Sequence, residues 1–153
     1  MNTATDIEQR TLVISRVFDA PARLVFQAWS KPEHLVQWFG PTAFTLPTCE
    51  QDFRVGGEYR FCMHAPDGSN HWVWGEYTEI NEYDRLVFTW VRQDDKPTPW
   101  VDNVVTLTFQ EKEGRTHFTM HHALFDTEAY RDEHTGGWTE AYERLAQFLS
   151  TGR

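Results

Sequence analysis

Between Val55 and Trp90 the chain reads VGGEYRFCMHAPDGSNHWVWGEYTEINEYDRLVFTW. Apolar and polar residues alternate there over three successive runs, and each run carries large aromatic residues. A period of two marks half-buried β-strands. The alternation predicts strands near 43–53, 57–65, 71–82, 85–93, 101–111 and 115–124. Pro66-Asp67-Gly68 and Gly114 supply turn chemistry, and Asn81 to Asp84 a polar corner. Strands that follow one another through short links form an antiparallel meander. On the more apolar faces stand Tyr59, Phe61 and Met63, then Trp72 and Trp74, then Leu86, Phe88 and Trp90. Val105, Leu107 and Phe109 share a face, as do Phe118, Met120 and His122. Each of these faces is expected to point inward.

The ends of the chain carry other patterns. TLVISRVF at 11–18 is a first strand, preceded by a polar start over 1–10 that is expected to be flexible. After Pro21, ARLVFQAW fits a short helix. Ser30 and Glu33 have capping-box spacing ahead of a second short helix over about 31–39, which Gly40-Pro41 ends. The loop QDDKPTPW contains two prolines and reads as irregular. From 127 to 150 the period becomes helical, with Asp126 or Thr127 as the cap. Trp138, Ala141, Tyr142, Leu145, Phe148 and Leu149 form its apolar stripe. Gly136-Gly137 lies inside this stretch and predicts a kink or break, since each glycine costs a helix about 1 kcal/mol relative to alanine. The order is one strand, two short helices, six strands and one long helix in a single domain over 11–153. That is an α+β arrangement in which the long helix covers the sheet.

Charge and composition narrow the function classes. With 23 acidic and 14 basic residues the formal charge is −9, which opposes binding to phosphate backbones and anionic membranes. No apolar run reaches the length of a membrane span, and the first ten residues lack the pattern of a secretory signal. Cys49 and Cys62 form no C-x-x-C pair and are read as thiols in a reducing cytoplasm.

Few residues suggest chemistry. His117 and His121 share a strand face but lie roughly 13 Å apart, too far to share one metal. A ligand set assembled across strands, with His64 or His71, stays open at this level. His122 points inward with Phe118 and Met120, as a satisfied core group or as an orienting group for a polar ligand atom. Glu76 shares the face of Trp72 and Trp74 and is either a solvent-reaching strand residue or an acid/base in an aromatic cavity. No nucleophile elbow, phosphate loop or dinucleotide fingerprint occurs. The aromatics exceed what a helix bearing Gly136, Gly137 and Ala141 readily fills, so the sheet and helix either pack tightly or enclose a cavity.

Four segments in order carry a resemblance: FDAPARLVFQAWSKPEHLVQWFGP, DFRVGGEYRFCMHAPDG, GEYTEINEYDRLVFTW and GGWTEAYERLAQFL. They resemble the activator of heat-shock-protein-90 ATPase homologue group of the START/SRPBCC superfamily, over about residues 11–150. The resemblance implies a helix-grip fold, with a curved seven-stranded antiparallel sheet around a long C-terminal helix. It also implies a hydrophobic cavity between sheet and helix. Trp38 and Phe39 match the group's aromatic pair before Gly-Pro, and Trp138 its Gly-Trp at the long helix; no shared catalytic residue maps onto the chain. The expected function is binding of a small aromatic or lipid-like molecule, without metal or cofactor. Phe61, Trp72, Trp74, Phe88 and Trp90 would line the cavity from the meander. Met120, His122, Trp138 and Tyr142 would line it from the last strand and the helix. The alternatives are a cyclase- or hydrolase-type enzyme using Glu76 and His122, and a co-chaperone-like interaction module. A cytoplasmic location is expected, with a homodimer as an open oligomeric state.

Overall fold

The computed structural model describes residues 9–92, 103–123, 125 and 127–151. The polar start and the loop QDDKPTPW therefore lie almost entirely outside the described residues. Eleven elements follow in order: β1 (Leu12–Phe18), α1 (Ala22–Ser30), α2 (Pro32–Trp38), β2 (Thr45–Gln51), β3 (Glu58–His64), β4 (Asn70–Asn81), β5 (Arg85–Thr89), β6 (Val91–Arg92), β7 (Val104–Lys112), β8 (Arg115–Ala123) and α3 (Glu128–Thr151). The strands form one antiparallel sheet in the order β1-β8-β7-β5-β4-β3-β2, and the two-residue β6 also pairs with β4. This is the α+β helix-grip architecture, with a long C-terminal helix and two short helices after the first strand.

Alternation places most of the core as expected. Leu12, His122, Val105 and Phe88 lie side by side across β1, β8, β7 and β5, and all are buried. The next inward row joins Ile14, Met120, Leu107 and Leu86. Helix α3 lays Trp138, Ala141, Tyr142, Leu145 and Leu149 against the interior, with Phe148 partly buried.

Strand β4 departs from expectation. Its register pairs Tyr59 with Gly75 and Phe61 with Val73. Directly opposed residues share a face, so Val73, Gly75 and Tyr77 point inward, while Trp72, Trp74 and Glu76 point outward. Trp74 is 39 % exposed, and the guanidinium of Arg60 lies over the Trp72 ring at 4.0 Å. Bulk suggested that the tryptophans take the core face; the partner strand's register decides otherwise.

Gly75 makes that register possible. A side chain there would place Cβ 2.0 Å from the Thr89 carbonyl oxygen and 2.8 Å from the Tyr59 ring. The Tyr59 hydroxyl donates to that same carbonyl. Tyr59 thus roofs the glycine and ties β3 to the end of β5, where β4 passes from β5 to β6 as its partner.

Two local expectations change in the helices. Lys31, not Ser30, is the N-cap of α2, and it makes no side-chain cap bond; Ser30 Oγ instead donates to the Gln27 carbonyl. Helix α3 runs without interruption through Gly136-Gly137 for 24 residues. Its buried stripe is anchored on both sides of the glycines, by His134 and by Trp138, so tertiary packing holds the helix where propensity alone would break it. Thr127 caps its start, accepting the Tyr130 N–H at 3.0 Å. Both cysteines are free thiols.

Two substitutions test the strand crossing. Gly75→Ala should destabilise the fold by about 2 kcal/mol or more through overpacking, and Tyr59→Phe by about 1 kcal/mol through the lost hydrogen bond. Denaturant unfolding would show both; a Gly75→Ala protein as stable as the parent would contradict the register.

Candidate functional site

The space between sheet and helix is filled. Trp29 and Trp38 of the short helices meet at 4.8 Å, and the Trp38 indole donates to the Ala28 carbonyl at 3.1 Å. Trp138 and Tyr142 of α3 stack on each other at 5.6 Å, and both contact Trp29. Between these rings and the meander face remains about 10 Å³ of free space, bordered by Phe61 and Phe88. That is room for about one water molecule.

Open space lies at one end of the sheet–helix sandwich instead, as a pocket of about 350 Å³. Helix α3 gives one wall through Glu133, His134, Gly136, Gly137, Trp138 and Ala141. The segment from Phe39 to Phe44 gives a second, and Met63, His71, Trp90 and Arg92 close it from the sheet. A methyl group added at Gly136 would meet nothing within 4 Å, so the helix contributes volume there by lacking a side chain. The second wall is held to the helix. Glu140 accepts the Thr42 N–H at 3.0 Å, and Arg144 donates to the carbonyls of Gly40 and Pro41 at 3.0 and 2.9 Å. Gly40 takes φ +109°, a conformation that favours glycine.

The residues expected at the site separate into four groups. Trp90 and Trp138 line the pocket. Phe61 and Phe88 border the small interior void, with Trp90 shared between the two spaces. Met120 and Tyr142 are core residues, the tyrosine hydroxyl facing the Met120 sulfur at 2.8 Å. Trp72 and Trp74 face outward, and so does Glu76, which stands opposite Glu58 in register on the outer surface. His122 is fully buried on the inner face. Glu76 and His122 therefore lie on opposite faces of the sheet and cannot act on one bound atom. Sequence reasoning did not single out Phe44, Met63, Arg92 or His134. Besides Trp90 and Trp138, the sequence signal for this pocket was Gly136-Gly137, read both as a break and as a stretch too small to fill the aromatic face.

Hydrogen bonds assign the protons of the histidines. Trp138 Nε1–H donates to His122 Nδ1 at 3.1 Å. An indole nitrogen only donates, so the neutral His122 ring carries its proton on Nε2. Burial, and then the neighbouring His134, hold its pKa well below the ordinary histidine value. In His134, Nδ1 meets the Tyr130 carbonyl at 3.1 Å and Nε2 meets Arg92 Nη1 at 3.4 Å, which places that proton on Nδ1. Arg92 also pairs with Glu133 at 3.4 Å and lies over the Tyr130 ring.

At the opposite rim, Asp67 accepts the Ser69 hydroxyl at 2.6 Å, and Ser69 Oγ lies 2.9 Å from His71 Nε2. The Ser69 bond holds Asp67 below its usual carboxylate range, so the serine proton points to Asp67 and His71 donates to the serine. This is the reverse of an activated serine, whose proton would go to the histidine. The Cys49 thiol is pushed up to about 11 by burial and then by Glu33, which suppresses the thiolate at neutral pH. Among the described residues no three His, Cys, Asp or Glu side chains cluster as a metal site.

His122 makes stability depend on pH. Its folded pKa lies below the ordinary value of 6.5, so the unfolded chain binds this proton more tightly. Its contribution is complete above pH 6.5 and is lost as pH falls from there through the folded pKa. The slope approaches about 1.4 kcal/mol per pH unit from this group. Urea unfolding from pH 7 to pH 5 should show it, with a shallower slope in His122→Asn; identical slopes would contradict a neutral buried His122.

Comparisons with known proteins agree with this architecture. The sequence model of the family described as "Activator of Hsp90 ATPase homolog 1-like protein" matches residues 19–150. A crystal structure of a Chromobacterium violaceum protein is similar at TM-score 0.84 and 25 % identity, covering 92 % of this chain and 96 % of that one. A solution structure from Arthrobacter aurescens is similar at TM-score 0.77 and 29 % identity, covering 94 % and 87 %. An AHSA1 protein of Silicibacter pomeroyi shares the fold at TM-score 0.81 and 24 % identity, covering 94 % and 99 %. A comparison with curated proteins found no match. With its strand order, its gripped C-terminal helix and a family match over most of its length, the chain belongs to the Activator of Hsp90 ATPase homolog 1-like family.

Proposed function

We propose that this protein binds a small hydrophobic molecule in the end pocket, with the ligand's apolar body against the aromatic wall that includes Phe39, Phe44, Trp90 and Trp138. The observation that carries the reading is the glycine pair. Two interior glycines weaken a helix by roughly 2 kcal/mol relative to alanine. Gly136 has no steric need to be glycine, yet the side chain it lacks would stand in the pocket. A volume of about 350 Å³ falls within the usual range for small-molecule sites. The walls also combine aromatic surface with a few polar groups at the rim, Arg92, Glu133 and Glu140, as such sites do.

Trp90 and Phe39 border both the pocket and the interior void, and their rings lie 6.3 Å apart. They form the partition between the two spaces. A ligand longer than the pocket would have to displace one of them, so compact molecules are favoured over extended acyl chains. No helix among the described residues is long and apolar enough to cross a membrane.

Native mass spectrometry of freshly purified protein and a thermal-shift panel of compact aromatic and aliphatic compounds test the proposal. A retained mass or a ligand-dependent rise in Tm is expected; neither appearing across the panel would reject it. Variants at Gly136 separate pocket from fold. Gly136→Ala should raise stability by about 1 kcal/mol. Gly136→Leu should keep or raise stability while weakening ligand binding at least about tenfold. Loss of binding together with loss of structure would not fit.

A further inference from the structure

We propose that the outer face of β3 and β4 is a docking surface for a basic segment of another protein, with a lysine or arginine stem along the Trp74 ring and its charge at Glu58 and Glu76. This surface is separate from the end pocket, and the proposal does not depend on the ligand reading above.

The strand register sets three outward pairs in a row: Cys62 with Trp72, Arg60 with Trp74, and Glu58 with Glu76. The last pair opposes like charges directly across two strands, which destabilises a sheet. The fold does not offset it. Among the described residues neither carboxylate has an ion pair. Arg60, one pair along, leans the other way: its guanidinium lies 4.0 Å over the Trp72 ring, and its nearest carboxylate is Glu50 at 4.0 Å. Asp52 is taken by Arg54 at 2.8 Å. With those two acids paired, the charge left over on this face is that of Glu58 and Glu76.

The same face exposes apolar surface beside the free carboxylates. Trp74 and Val91 are directly paired between β4 and β6, and both are exposed. Trp72 shows what covers an indole on this surface, namely a guanidinium. Trp74 has no such cover among the described residues. Side chains two apart on a strand stand roughly 7 Å from one another, within reach of a lysine or arginine stem. One incoming basic side chain would therefore cover Trp74 with its stem and meet Glu76 and Glu58 with its charge.

Shape and charge select the occupant. The cleft over these residues has a volume of about 880 Å³. Glu50, Glu58, Arg60, Trp74, Glu76 and Val91 line it, and all six are exposed. It is an open trough, which suits a chain segment laid across the sheet, whereas small-molecule sites enclose most of their ligand. A second copy of this chain would bring its own charge of −9 against the face, and a nucleic acid would bring its phosphates. A basic partner is drawn by that same net charge.

A capped octapeptide of alternating lysine and threonine, at physiological ionic strength, tests the surface. It should bind wild-type protein, and the same peptide with glutamine for lysine should not. Glu58→Gln with Glu76→Gln should weaken binding at least about tenfold, as loss of close charge pairs does. That variant should melt at the same temperature as wild type or higher, because the opposed charges are gone. Trp74→Thr should weaken binding at least about threefold through the lost cation–π platform. Glu113→Gln with Glu128→Gln removes the same charge outside this face and should change affinity less than about twofold if attraction is local. Gly136→Leu, which fills the end pocket, should bind the peptide as wild type does. No binding of the lysine peptide overturns the proposal and leaves the pocket reading standing. Equal weakening by the two double variants overturns it in favour of diffuse attraction. Binding of N-acetyl-lysine methylamide as tightly as the peptide overturns it in favour of a small-cation site.

Discussion

The packing of Trp29 is the constraint on which the rest of this structure depends. Trp29 lies in the last turn of the first short helix and is almost fully buried, with six aromatic rings about it: Trp38, Phe39, Phe88, Phe118, Trp138 and Tyr142. Those rings come from the second short helix and the residue after it, two strands and the long helix, so one side chain of the first short helix joins every layer of the fold. A large aromatic side chain contributes more buried area than any other residue type, and its offset and edge-on contacts fix relative orientation as well as distance. With that position filled, the sheet and α3 cannot approach or separate without breaking several ring contacts at once.

Filling the middle moves the free volume to the end. The interior void admits about one water molecule, whereas the end pocket reaches about 350 Å³. Gly136 and Gly137 directly precede Trp138, so the helix goes from bare backbone lining the pocket to the bulky Trp138–Tyr142 stack that meets Trp29. The same division orders the polar groups. Core hydroxyls and indoles such as Tyr59, Trp38 and Tyr142 find partners inside the fold. The orphan donors of Trp90 and His122 occur beside the pocket wall. Trp29 Nε1–H, a donor, and Gln51 Oε1, an acceptor, are the corresponding unpaired atoms elsewhere in the interior.

Legibility varied by element for identifiable reasons. Strands β5, β7 and β8 were readable because one of their two faces is plainly apolar. The stripe of α3 was readable because Trp138, Ala141, Tyr142 and Leu145 recur at helical spacing. Strand β4 was not readable, because both of its faces carry aromatics: Trp72 and Trp74 on one, Tyr77 on the other. Local sequence contains no term that chooses between them. Partner register chooses, through Phe61 opposite Val73 and Tyr59 opposite Gly75. The error carried through to Glu76, whose expected cavity position followed from sharing a face with the tryptophans. The glycine pair was read in two ways, as a break and as a stretch of helix too small to fill the aromatic face; packing on either side prevents the break, and the bare stretch lines the end pocket.

The amino-acid sequence by itself determined the element order, the family, the inward faces of most strands and the unusual aromatic content. These depend on short-range periodicity and on motifs, which survive in one dimension. Tertiary structure decided which face of β4 is inside, where the aromatic bulk leaves room, and which buried donors lack acceptors. Each of these depends on pairs of residues far apart in sequence: Tyr59 with Gly75, Trp29 with Trp138, and Trp90 with His122. Local alternation states what a face is made of, and only the closing of the sheet on the helix states what that face meets.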